Sequence, residues 1–236
     1  MIHLAIRVST LLVTLAASGC GLISSDVTNF DLTLPDKNFT VDATGWQVNQ
    51  QQADLLLGTN CSAQPTVCAS AAQQACQMGC SGTCNTSSHT CDLSLDVSLY
   101  QPINLLTEKP ELKSINDEPV IKVTIDSVTY EVTQNTLNVA TPEMIIYVAP
   151  MSVMDPKDPQ AKAIGTIAAV PARTTTTKPE NIAFNANGKA ELVNIMSTFK
   201  TPFNVLIGST LVVRAGTPVP TGKLDAVVHI KGHAGL

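Results

Sequence analysis

Apolar and polar positions along the chain fall into short alternating runs. Phe30, Leu32 and Leu34 alternate with polar neighbours, Pro35, Asp36, Lys37 and Asn38 interrupt, and Phe39 and Val41 resume the alternation. A period of two on either side of turn-forming residues predicts a β-hairpin. Trp46 and Val48 are expected to continue the sheet, whereas residues 49–60, with the run Leu55-Leu56-Leu57, suit either a helix or a strand. Alternation returns at Leu93, Leu95, Val97 and Leu99, and further strands are expected over 120–125, 128–133, 144–149, 163–170, 182–184, 210–214 and 223–231. Proline and glycine fall mostly between these runs. Many short strands without a regular helix between them predict a mainly β chain, either an antiparallel β-sandwich or an open barrel, and we take the sandwich. Val128, Tyr130 and Val132, and likewise Leu224, Ala226, Val228 and Ile230, are expected on inward faces.

One segment changes period. Over 188–199 the apolar positions Leu192, Val193, Met196 and Phe199 recur at helical spacing, with Asn187 placed to cap the start. A short helix closing one end of the sandwich is expected there, its stripe facing the core. A second interruption, at 60–92, is poor in large apolar residues and holds Cys61, Cys68, Cys76, Cys80, Cys84 and Cys91. Such a segment buries little and needs covalent staples, so it is read as a disulfide-rich, partly helical insertion in a single domain. The Ala- and Gln-rich stretch 69–78 predicts a short helix. On it Cys76 and Cys80 would share a face one turn apart and pair outward rather than with each other. The run Cys76-x3-Cys80-x3-Cys84 also raises a metal or iron–sulfur site. Its spacing lacks the CxxC pairs of structural zinc, and clusters need reduced thiolates, so no metal is expected.

The N-terminus adds an address. Residues 1–7 carry Arg7, residues 8–17 carry no charge, and the apolar stretch ends in small residues after too few positions to span a bilayer, which takes ~20. This is the order of a secretory signal. The residues Ala17-Ser18-Gly19-Cys20 resemble the lipobox of bacterial lipoproteins, although Ala17 and Gly19 also fit an ordinary small-x-small export site. The resemblance implies a signal peptide over 1–19, acyl chains such as palmitate on Cys20, a lipidated tether over 20–27 and a domain over 28–236. Gly21 after the cysteine resembles outer-membrane sorting, so an outer-membrane place, periplasmic or surface-facing, is implied. Cysteine arithmetic agrees: of 7 cysteines, removing Cys20 leaves an even set able to close disulfides without a free thiol. The pairing stays open, since six cysteines allow fifteen connectivities.

Composition narrows function by exclusion. Removing residues 1–19 takes Arg7 from the 14 basic residues, leaving 13 against 19 acidic ones, or about −6, with no basic patch for nucleic acid. Aromatics are 4% and Trp46 is the single tryptophan, which argues against a stacked-ring sugar platform. After export only His89, His229 and His233 remain, and no nucleophile elbow, phosphate-cradling glycine loop or His-Glu-x-x-His helix is present. His229 and His233 lie on an expected strand, where residues four apart are ~13 Å from each other, so they are read as exposed strand histidines. Asp155-Pro156-Lys157-Asp158-Pro159 lacks the glycine and alternating ligands of a calcium loop and is read as a rigid solvated turn. The segment from Arg173 through four threonines to Lys178 is read as a polar loop or edge extension. No catalytic residue and no cofactor is expected.

The run Ile182-Ala183-Phe184, the helix after it, and Pro218-Val219-Pro220-Thr221-Gly222 leading into 227–232 are similar to the water-stress and hypersensitive-response domain, a LEA14-like β-sandwich. That resemblance implies the fold and transfers no function. Two classes of function follow. The first is a non-catalytic envelope lipoprotein, held to the membrane through Cys20, that offers a surface to a protein, lipid or polymer partner. The second is a small-ligand binder with a pocket between the sheets or under the cysteine-rich insertion.

Overall fold

The computed structural model describes residues 29–115 and 121–235; Cys20 and the stretch 1–28 lie outside them. The chain forms two antiparallel sheets face to face, a β-sandwich with a disulfide-rich helical insertion. In the first sheet, β11 (Lys223–Gly235) lies beside β5 (Lys122–Asn135), which carries the two-residue β8 (Glu180–Asn181) on its other side. The second sheet has the order β3 (Cys80–Cys84), β4 (Cys91–Ile103), β10 (Phe203–Val213), β6 (Met144–Pro150), β7 (Lys162–Ile167) and β9 (Ala183–Phe184).

The expected N-terminal hairpin does not form. β1 (Asn29–Asp31) and β2 (Lys37–Asp42) both pair with β11, one after the other. Between them the N–H groups of Leu32 and Leu34 still donate to Gly232 and Ile230, at 2.8 and 2.9 Å. Pro35 and Asp36 therefore kink one long edge strand instead of reversing it. Hairpin and kinked strand share one apolar alternation, so periodicity alone does not separate them.

β5 shows the converse. Sequence splits it into two strands because the buried set changes phase, from Val123 and Ile125 to Val128, Tyr130 and Val132. The backbone is continuous. A register shift opposite Lys231 and Gly232 leaves Asp126 as an extra residue, a β-bulge that flips the face on which alternate side chains fall.

The inner faces meet through Leu224, Val228 and Ile230 on one sheet and Leu93, Leu95, Ile146, Val205 and Ile207 on the other, all nearly or fully buried. The predicted helix is present as α4 below: α1 (Gln50–Gly58), α2 (Val67–Ala75), α3 (Leu105–Glu108) and α4 (Gly188–Ser197) complete the chain's α-helices among the described residues. α4 buries Leu192 and Met196, with Phe199 just beyond, against β5, β6 and β7, so its stripe faces the core. Asn187 caps nothing with its side chain; its own Cα conformation is already helical, which aims the side chain away from the first turn's amides.

Trp46 does not extend the sheet. It ends a 3-10 turn, Ala43–Trp46, opened by Asp42, whose carboxylate accepts from Thr44 N–H at 2.8 Å. Residues 49–60 resolve as α1, which buries Leu56 and Leu57 and leaves Leu55 exposed.

Candidate functional site

The insertion closes three disulfides: Cys61–Cys84, Cys68–Cys91 and Cys76–Cys80. The third corrects the expectation that Cys76 and Cys80 pair outward from one helix face. α2 stops at Ala75, Cys76 is already extended, and Cys80 opens β3, so the two lie across a short loop with Cα atoms 6.5 Å apart. Cys84 and Cys91 sit opposite each other on the β3–β4 hairpin, and this sets the other two bridges side by side. The Sγ atoms of Cys61, Cys68 and Cys84 consequently lie within 4.8 Å of one another. Gly82 lets α2 approach this hairpin, since a Cβ there would run into the Cys68 carbonyl. The insertion thus adds an edge strand to the second sheet, and its Met78-Gly79 corner projects toward the sheet's outer face.

That outer face carries a cleft of about 680 Å³. Its floor is the outward side of β4, β10 and β6, with Ser98, Gly208, Ile145 and Tyr147. Thr40 and Asp42 of β2, Trp46 and Met78 form one wall, and Asp155, Pro156 and Lys157 the other. The second wall is the segment read from sequence as a solvated turn. Asp155, Lys157 and Pro159 are exposed there, and the segment also straps back over the sheet through the buried Pro156. Val153 packs with Ala149 and Leu206 in a small apolar cluster of its own, joined by Tyr147 and Ala161. The buried Asn204 side chain donates to the carbonyls of Met151 (3.0 Å) and Val153 (2.8 Å), holding the strap's first turn. Pro156 rests where Gly208 leaves room: a Cβ at residue 208 would lie 2.6 Å from the Pro156 Cβ. Asp155 accepts from the Lys157 N–H at 2.9 Å, which tightens the tip. The segment is a turn, and it also covers a surface.

Asp96 ties the walls together. Its carboxylate accepts from Lys157 Nζ at 2.6 Å and from Thr210 Oγ1 at 3.1 Å, while its backbone carbonyl accepts the Trp46 indole N–H at 2.7 Å. Asp42 is held below the usual carboxylate range by the Thr44 hydroxyl and amide, and burial pushes the Tyr147 phenol up. The cleft therefore sets three carboxylates, Asp42, Asp96 and Asp155, against one lysine already paired, over an apolar floor. It can hold an extended, partly apolar and partly cationic group.

The remaining sequence candidates lie elsewhere. His229 Nδ1 is 2.6 Å from Asp36 and His233 Nδ1 is 3.2 Å from Asp126, each on the outer face of the first sheet and each with its own carboxylate. His89 is exposed in the insertion's turn, at a φ of 57°. In the threonine-rich segment, Thr176 exchanges bonds with Val132: its N–H donates to the Val132 carbonyl and its hydroxyl accepts the Val132 N–H, so it extends the β5 edge. The cleft residues carry little signal in the sequence. Only the lone Trp46 and the proline-flanked strap stand out, and nothing local says that they meet. Among the described residues no helix is long and apolar enough to cross a membrane. No protein-family model, curated protein or solved structure matches this chain.

Proposed function

We propose that this protein is a non-catalytic lipoprotein of the bacterial envelope, anchored by acyl chains on Cys20, whose sandwich serves as a binding module through the strapped cleft. The observation that carries the reading is the strap. A buried asparagine, a glycine under a proline and an ion pair combine to fasten a loop across the outer face of the sheet, where it walls one side of the groove. Six cysteines closed into three bridges support export, because such bridges persist in oxidising compartments. The volume, about 680 Å³, also falls in the ~300–1,000 Å³ range of small-ligand sites, which favours a small-ligand binder as the second reading. Its place would be this outer cleft. The inter-sheet space is filled by the core.

Two measurements test the proposal. Intact mass of membrane-extracted protein, alkylated under denaturing and non-reducing conditions, should show a diacylglyceryl group and a further acyl chain on Cys20, with no alkylation of the other cysteines. An unlipidated mature form overturns the anchor. A photo-crosslinking residue at Met78, activated in intact cells, should yield adducts with an envelope partner or a small molecule. Absence of adducts, with a residue at exposed Leu55 as background, overturns the cleft.

A further inference from the structure

Strand β4 leaves part of its edge open beside the cleft. Its ladder with β3 ends where Asp96 N–H donates to the Gly79 carbonyl at 2.7 Å, and the Trp46 indole then takes the Asp96 carbonyl. In an antiparallel ladder the backbone groups of successive residues point to alternate sides. Because Asp96 bonds on the side away from β10, Ser98 and Tyr100 turn their N–H and C=O groups the same way. Among the described residues these groups have no partner outside the strands. Pro102 shares their parity and has no N–H to offer, so it ends the stretch. Residues 97–101 thus present two donors and two acceptors in a row, bounded by an indole at one end and a proline at the other.

The facing strand repeats the pattern. Ala43 N–H bonds to Gly222 on the β11 side, so the backbone of Thr40, three residues earlier, points away from β11. Lower down the two edges draw together, and Gln101 Nε2 donates to the Asn38 carbonyl at 2.8 Å. Natural sheets guard such edges with charges, prolines or covers. Here Ser98 is neutral and exposed, and Tyr100 is 43% exposed.

We propose that this edge takes an extended cationic peptide as an added strand. The inference rests on the cleft being the binding site, and it names the occupant. A strand laid beside β4 would place alternate side chains on the inner side, level with Val97 and Leu99, and the rest on the outer side, level with Asp96. Asp42, Asp96 and Asp155 against Lys157 leave the surroundings net acidic, so the outer positions select Lys or Arg and the inner ones apolar residues.

The test uses the full-length lipoprotein in non-ionic detergent, with Trp46, the single tryptophan, as reporter. The probe is the peptide acetyl-Lys-Val-Lys-Val-Lys-Val-amide, set against its Glu-Val counterpart and a version N-methylated at alternate amides. Ser98→Pro removes one edge N–H without touching the β10 ladder, in a register where Pro102 is already accommodated. The expected result is saturable binding of the cationic peptide, at least tenfold weaker with Ser98→Pro or with the N-methylated peptide, and no saturable binding of the Glu-Val peptide. Should Ser98→Pro fail to fold, the N-methylated peptide makes the same test from the ligand side. Binding indifferent to both changes overturns strand addition and leaves the cleft intact. Preference for the Glu-Val peptide, or no peptide binding at all, overturns the proposal, whereas the cleft itself stands or falls on the Met78 crosslinking. A concentration-dependent dimer abolished by Ser98→Pro would assign the edge to a second copy of the chain and overturn it too.

Discussion

Trp46 shows how much one side chain decides here. It is 7% exposed, and its indole N–H closes the end of the β4 edge on the Asp96 carbonyl at 2.7 Å. Trp46→Phe keeps an aromatic ring and removes the donor, which should cost about 1 kcal/mol. Urea unfolding followed by circular dichroism reads this loss, and an unchanged midpoint would contradict the role of the bond. Tyr130 makes a second residue-level prediction. Its hydroxyl donates to Glu180 Oε2 at 2.7 Å, and burial, followed by that carboxylate, pushes its pKa up to about 12. An unfolded tyrosine titrates near ~10, so above that pH the unfolded chain gives up its proton first. The stabilisation is fully present below about pH 10 and is lost as pH rises toward 12. The fall in melting temperature over that window should be smaller in Tyr130→Phe; an equal fall would count against the assignment. The apolar character of both residues was legible in the sequence. Their partners, Asp96 and Glu180, are each 50 residues away and were not.

At the scale of elements, local periodicity located most strands, and tertiary pairing decided what each one joined. Phe30, Leu32, Leu34, Phe39 and Val41 carry one alternation that suits a hairpin as well as the kinked edge strand the chain forms along β11. The bulge at Asp126 made one strand read as two. The strap was the least legible element. Its prolines mark it as a turn, but its fold-back depends on Asn204 and Gly208, which lie on a strand about fifty residues later. Gly208→Ala should therefore act on the strap. A Cβ 2.6 Å from the Pro156 Cβ forces a shift, with an overpacking cost of about 1–3 kcal/mol. Hydrogen exchange should speed up at strap amides while amides of β10 and β4 stay protected. Uniform protection with an unchanged urea midpoint would mean that Pro156 does not rest on this face.

For the whole molecule, the cysteines make the clearest test. Two bridges span 23 residues and the third spans 4. By loop-closure entropy, removing Cys68–Cys91 should cost about 3 kcal/mol and removing Cys76–Cys80 about 2 kcal/mol. Paired Cys→Ser variants compared by thermal unfolding should follow that order, and the reverse order would mean that strain or residual structure outweighs loop length. By itself the sequence determined the class of fold, the place of the cysteine-rich insertion and the core-facing stripe of α4, because each depends on periodicity or composition within a dozen or so neighbouring residues. Only the tertiary structure decided which cysteines pair, which strands adjoin and that a cleft exists. Those outcomes depend on residues far apart in the chain, such as Asp96, which meets Trp46 across 50 positions and Lys157 across 61. Alternation states which face a side chain takes, and the packing of two sheets states what it meets there.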